Sequence, residues 1–257
     1  MTRQVKSRST DPREMPAYTV PEAAHYLGLP VSTVRYWSAG RESYKALITA
    51  AENHPVILSF LNLVELHLLA AIRRKHAVSM PSVRRAIEYL ENRFRPEHPL
   101  LAKELETDGL DIFIRNYGQL VNVSKDGQTA MRHIMEAALK RIERDNNNIP
   151  IKLYPFTRAQ IDDAPSVIMI DPAVSGGRPV IAGTGLATEI IAERYKAGES
   201  IQDLVYDYGR TEAEIEEAIR CELQAARRQA GPVHRQKSGT PCFGRQVARG
   251  RDSLRGT

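Results

Sequence analysis

Residues 18–37, YTVPEAAHYLGLPVSTVRYW, decide how this chain is read. Thr19-Val20-Pro21-Glu22 has the spacing of a capping box: the Thr19 hydroxyl meets an amide of the first turn, Glu22 reaches back, and Pro21 sits where no donor is missed. Ala23, Ala24 and Leu27 supply a buried face. Gly28 stands where a helix can end in the left-handed region at low cost, and Leu29-Pro30 leads into a second short helix over Val31 to Trp37. Two helices joined by a four-residue turn are predicted, the geometry of a helix-turn-helix.

In that arrangement the second helix reads DNA, so it must be short, exposed and tipped with groups that reach base edges and phosphates. Ser32, Thr33, Arg35 and Tyr36 fit, with Val34 and Trp37 turned inward. Arg35 is the best single candidate for a direct DNA contact, and Thr33 and Tyr36 can bond phosphate oxygens that set the register. Thr19 at the head of the first helix joins the contact set, as do Arg41 and Lys45 in an expected wing. The plain alternative is a helical hairpin whose charges are merely solvated.

Charge along the chain favours the DNA reading. Residues 1–95 hold 14 Lys or Arg against 8 Asp or Glu, residues 96–226 hold 14 against 22, and residues 227–257 hold 8 against 1. The balances are +6, −8 and +7 within a total of +5. A polyanion suits the front, and the acidic region behind it would repel one.

Leu58 to His76 is apolar on most sides and reads as a central helical spine, buried between neighbours or along a dimer seam. Ser79 can cap a further helix whose Val83, Ala86, Ile87, Leu90 and Phe94 form one face, while Arg84, Arg85 and Arg93 point away. After Pro96 the period changes to two, and Leu110–Ile114 and Leu120–Val123 are predicted as paired strands around Asn116-Tyr117-Gly118. Thr129 to Arg144 reads as a helix broken by Asp145–Asn148, with strands predicted over Ile151–Tyr154 and Val167–Ile170. Three helices follow: Thr188–Ala197 closed by Gly198, Ser200–Tyr208 closed by Gly209, and Thr211 to about Arg228, the last two with capping spacing at Ser200/Asp203 and Thr211/Glu214.

The fold class is therefore mainly α with a small α/β middle region: an N-terminal winged helix-turn-helix and a C-terminal three-helix unit that itself resembles a helix-turn-helix. The predicted boundaries are a disordered lead at 1–16, a DNA-binding domain at 17–95, an α/β linker region at 96–164, the three-helix domain at 165–228 and a basic disordered tail at 229–257. The acidic balance around the rear unit points to a protein partner or dimerisation rather than to duplex DNA.

Other classes find little support. Val56–Ile72 is short for a bilayer span and is interrupted by Asn62, Glu65 and His67. Met1–Pro16 lacks the apolar segment of a secretory signal, so a cytoplasmic location is expected. The two cysteines, Cys221 and Cys242, lie far apart with no metal-ligand spacing. The Gly-rich run Ser175–Gly185 lacks the GK[ST] of a phosphate loop and reads as a turn-rich connector. Asp111, Asp126, Asp162, Asp163 and Asp171 have no spacing that suggests metal-assisted hydrolysis, and the histidines are scattered. No catalytic residue, metal or cofactor is assigned, so no enzyme activity is expected.

Tyr18-Thr19-Val20, Glu22-Ala23-Ala24, Leu27-Gly28-Leu29 and Thr33-Val34-Arg35-Tyr36-Trp37 resemble the first helix-turn-helix of MerR-type regulators. Pro30 departs from that pattern, where a capping Ser is common. Farther on, Ile170-Asp171-Pro172, Gly177-Arg178-Pro179-Val180-Ile181, Gly183-Thr184-Gly185 and Ala197-Gly198-Glu199-Ser200 resemble the small antitoxin-associated domain of VapB-type proteins, whose longer members join a MerR-like front to this rear domain. Gly185 stands where shorter relatives usually carry Arg. The resemblance implies an antitoxin that inhibits a PIN-like ribonuclease toxin and represses its own operon; a homodimer that reads an inverted repeat in double-stranded promoter DNA is the expected form. The alternative is a MerR-like transcription regulator whose middle and rear bind a small effector; a nuclease is the weakest third class.

Overall fold

The computed structural model describes residues 11–41, 44–73, 80–94, 98–101, 110, 114, 125–158, 160 and 164–229. Among these the chain is mainly helical with three small antiparallel sheets. Strand β1 (Tyr18–Thr19) runs straight into helix α1 (Val20–Tyr26), and helix α2 (Val31–Ala39) follows. The capping box forms as the spacing predicts: the Thr19 side chain accepts from the Glu22 amide, and Glu22 accepts from the Thr19 amide at 2.8 Å. Gly28 adopts φ +60°, which ends α1 at that point.

Strands β2 (Glu52–Asn53) and β3 (Val56–Leu58) form a hairpin that carries β1 on its other side, in the order β1-β3-β2. Here the structure corrects the predicted spine, which begins at Phe60 rather than Leu58: Val56–Leu58 is strand, and helix α3 spans Phe60–Arg73. All of α3 except Arg73 is buried. Burying its polar members demands partners. Asn62 Oδ1 accepts from the amides of Ala51 and Ser59, both at 3.1 Å, and its Nδ2 donates to the Thr49 carbonyl at 2.9 Å. Asn62, one of the residues that make α3 unfit for lipid, thus anchors the segment leading into β2. Helix α4 covers Met80–Phe94, with Val83 and Ile87 buried; the predicted Ser79 cap lies outside the described residues.

The middle region differs from its reading in two places. Leu110 and Ile114 are helical and buried, not strand. Their spacing of four is a helical repeat that coexists with the alternation read there, and burial against the core selects the helical one. Residues 120–123 lie outside the described set. Helix α5 spans Lys125–Leu139, and Ile142–Arg144, read as the end of that helix, is strand β4. β4 pairs with β5 (Pro150–Leu153), and the Ile170 and Leu153 amides exchange bonds at 2.8 and 2.9 Å. Arg141, ahead of β4, has its guanidinium buried under the Phe156 ring at 4.4 Å, with carbonyls of Tyr154, Pro155, Ala164 and Pro165 as acceptors.

Strands β6 (Ile168–Met169) and β7 (Val180–Ile181) introduce the rear helices α6 (Thr188–Lys196), α7 (Ile201–Tyr208) and α8 (Glu212–Gln229). Ser200/Asp203 and Thr211/Glu214 form the predicted capping boxes. Ile168, Ile181, Ile191, Leu204, Ile215 and Ile219 make a small core of their own. The larger core takes residues from the front and the middle together, from Tyr18 and Trp37 through α3 to Met135, Leu153 and Phe156.

Candidate nucleic-acid interface

Helix α2 stands on Val34 and Trp37, which are 0% and 1% exposed. Leu47 and Ile48 donate backbone bonds to the Trp37 carbonyl at 2.7 and 3.2 Å, so the chain beyond the helix folds back along it. Gly40 makes that reversal possible: its φ is +75°, and a Cβ there would meet the Tyr44 carbonyl oxygen at 2.5 Å. Pro30 occupies the N-cap without a side-chain bond, and α2 starts at Val31 as predicted.

Inward anchoring turns the predicted contacts outward. Ser32 and Arg35 are exposed on α2 and Thr33 and Tyr36 are half-buried, while Arg41 and Lys45 are exposed on the following turn. That turn closes by mutual backbone bonds between Arg41 and Tyr44 at 2.8 and 2.9 Å. Arg41 lies 5.5 Å from the Tyr36 ring centroid, joining the turn to the helix by a cation–π contact. Among the described residues no ion pair involves Arg35, Arg41 or Lys45. Thr19 sits apart from this cluster in sequence and role: its hydroxyl donates to Glu22 at 2.6 Å and so belongs to the start of α1.

Two residues of this face were missed in the sequence. Arg84, from α4, places its guanidinium 5.3 Å from the Tyr36 ring and 5.3 Å from the Tyr44 ring, and donates from Nη1 to the Lys45 carbonyl at 2.5 Å. Tyr44 is 54% exposed. The helical period put Arg84 on the polar side of α4, and nothing in the spacing says what lies opposite that side.

Behind this face, α1 packs on α8 of the rear unit. His25 Nε2 is 2.5 Å from Glu222 Oε2, and the Thr188 hydroxyl donates to Glu222 Oε1 at 2.6 Å. Burial pushes the Glu222 carboxyl up, but the bonds from His25 and Thr188 outweigh it and hold the group below the usual carboxylate range. The Tyr18 hydroxyl, raised by its own burial, donates to the Gly177 carbonyl at 3.1 Å. Gly177 has φ +77° and lies so close that a Cβ would collide with that hydroxyl. A cleft of about 300 Å³ opens at the seam, lined by His25, Tyr26, Arg178, Thr188, Glu189 and Glu222; burial lifts the Tyr26 phenol to about 12.

Among the described residues no group of three or more His, Cys, Asp or Glu could hold a metal ion. Asp171 bonds the Ala173 amide at 2.8 Å, a turn role. Cys221 is a free buried thiol whose pKa is pushed up by desolvation. Among the described residues no helix is long and apolar enough to cross a membrane.

Residues 168–220 match a family described as a protein of unknown function, DUF433. Over most of its length the chain is also similar to particular mycobacterial proteins. It is 27% identical over 233 residues to a Mycobacterium tuberculosis protein named "Putative antitoxin VapB45", covering 80% of this chain and 93% of that one. It is 24% identical over 221 residues to the uncharacterized protein Rv2308 of the same organism, covering 79% and 88%. The crystal structure of Rv2018 from M. tuberculosis superposes with a TM-score of 0.62 at 25% identity, covering 80% of this chain and 98% of that one. The similarity to these proteins thus extends beyond the segment of the family match, and the mainly α fold with small sheets has a counterpart in a solved structure.

Proposed function

We propose that this chain is the antitoxin of a type II toxin–antitoxin system, a non-enzymatic cytoplasmic protein with two working surfaces. The first is a MerR-like winged helix-turn-helix within residues 17–95, with α1 and α2 as the two helices and the 41–45 turn and β2–β3 hairpin beside them. Arg35 reads base edges, while Ser32, Thr33, Tyr36, Arg41 and Lys45 hold phosphates; Thr19 contributes at the head of α1. A homodimer sets two such helices about one DNA turn apart on an inverted repeat in its own promoter. The second surface lies on the rear unit, residues 165–228, whose acidic neighbourhood suits a basic PIN-like ribonuclease toxin or the dimer contact. Repression and neutralisation are coupled because one chain makes both.

The observation that carries this reading is the exposed Arg35, Arg41 and Lys45 around Tyr36, joined by no ion pair among the described residues and standing on the buried Val34 and Trp37. The similarity to a protein named as a VapB antitoxin supports the toxin half. A second reading, a MerR-like regulator answering a small effector, draws on the seam cleft between α1 and the rear unit.

One experiment separates the two. The tagged chain is co-expressed with the product of the adjacent open reading frame, and the complex is assayed for RNA cleavage and for a shift of the upstream DNA. A stoichiometric, silenced nuclease that shifts the DNA is the expected result. No recovered partner, with the DNA still shifted, would favour the effector regulator.

A further inference from the structure

Arg84 is surrounded unlike a solvated helix residue. Its guanidinium lies against the Tyr36 and Tyr44 rings, 5.3 Å from each centroid, and Nη1 is committed to the Lys45 carbonyl. Nε and Nη2 are shielded from solvent and have no hydrogen-bond partner among the described residues. Among the described residues no ion pair involves Arg84. Shielded donors on a permanent cation normally find acceptors, so an unmet pair asks what acceptor is missing.

Nε and Nη2 form the side of the guanidinium that matches two oxygens of one phosphate. The Lys45 carbonyl holds the opposite corner, so the fork is oriented in advance. Tyr44, one of the two rings against the guanidinium, is 54% exposed on a turn, and a change of its side-chain rotamer opens that side without moving a helix. Arg41 shares the Tyr36 ring with Arg84, so a second cation favours an anion on this face.

We propose that Arg84 is a phosphate clamp of the DNA-binding face: when duplex DNA docks on α2, the Tyr44 ring moves aside and Arg84 Nε and Nη2 grip one backbone phosphate. This rests on the DNA reading above and extends the contact face from α2 to α4. A backbone phosphate is the same in every sequence, so the clamp adds affinity without choosing bases.

The full-length chain is titrated against a duplex from its own upstream region and against an unrelated duplex, each over a salt series. Arg84→Gln should weaken both duplexes by a similar factor, roughly tenfold at low salt, and reduce the slope of log K against log salt by about 1 per chain. Arg84→Lys should keep the slope and lose a few-fold in affinity, because charge remains and the fork does not. Tyr44→Ala should leave the slope intact and bind at least as tightly. Thermal melts check that each variant folds, and Arg84→Lys carries the test if the Gln variant does not. If Arg84→Gln weakens binding with the slope unchanged, or changes nothing, the clamp is overturned and Arg84 only positions Tyr36. A wild-type chain that binds neither duplex overturns the DNA reading, and the clamp falls with it.

Discussion

The α1–α2 unit stands on the larger core and the rear three-helix unit on a small core of its own, and they handle their arginines in opposite ways. In the rear, cations are paired within the fold: Arg194 reaches Glu199 and, at 2.5 Å, Asp207, Arg210 reaches Glu214 at 2.5 Å, and Arg178 reaches Glu189 at 3.2 Å. Arg194 also lies 5.1 Å from the Tyr208 ring centroid. At the front, Arg35, Arg41 and Lys45 join no ion pair among the described residues, and Arg41 rests on an aromatic face instead. A paired arginine must release its carboxylate before it can take a phosphate, whereas a cation held by a ring remains available. Net charge along the chain hints at this difference, and the pairing pattern gives it a mechanism.

The comparison can be broken most severely at Trp37. Trp37→Ala removes the fully buried ring under α2 and is expected to cost about 3–5 kcal/mol in denaturant unfolding. Duplex binding should fall with it, while a complex made through the rear unit should persist where the protein remains folded. If the rear complex is lost in the same proportion, the two units do not work separately.

The seam gives the next effect. Because the Glu222 carboxyl is held below its usual value in the folded chain, its contribution is present above the ordinary carboxylate range and is lost as pH falls through the lowered value. Glu222→Gln is expected to cost about 1.5–3 kcal/mol near neutral pH, the size of a charge-assisted hydrogen bond. On acidification the gap between wild type and variant should close; a gap that stays constant with pH would show that the charge at Glu222 does not matter.

Arg35 and Arg194 compare the two kinds of cation directly. Arg35→Ala is expected to weaken promoter binding about tenfold, roughly 1.4 kcal/mol, with little change in melting, whereas Arg194→Ala should leave promoter affinity unaltered. Equal losses would dissolve the distinction drawn above. The smallest effects lie in the caps. Ser200→Ala removes a working capping box and should destabilise by about 1 kcal/mol. Pro30→Ser adds a cap that α2 lacks but frees the unfolded chain, and these offset to within a few tenths of a kcal/mol.

Much of the rear unit and the start of the front were legible in the sequence because their signals are local. Thr19/Glu22, Ser200/Asp203 and Thr211/Glu214 form caps by three-residue spacing alone, and Gly28 and Gly209 take up left-handed backbone at the predicted helix ends. The misread elements lie where two periods coexist or where a strand adjoins a helix. Leu110 and Ile114 satisfy a repeat of four as well as an alternation, and Val56–Leu58 is as apolar as the helix that follows it. For Val56–Leu58 the partner strand, not the local pattern, decides: Leu58 pairs with Tyr18 and Ile57 with Thr19, about forty residues away.

The sequence by itself determined the two-helix front, its candidate contacts and the capped rear helices, because spacing, capping chemistry and charge act over a few residues. Only the tertiary structure decided what stands beside them. Arg84 comes from α4 to lie against Tyr36, Asn62 pins the segment before the hairpin, and Glu222 meets His25 across 197 positions. Such contacts depend on how helices pack, and a helical period states which way a side chain points without stating what it will meet.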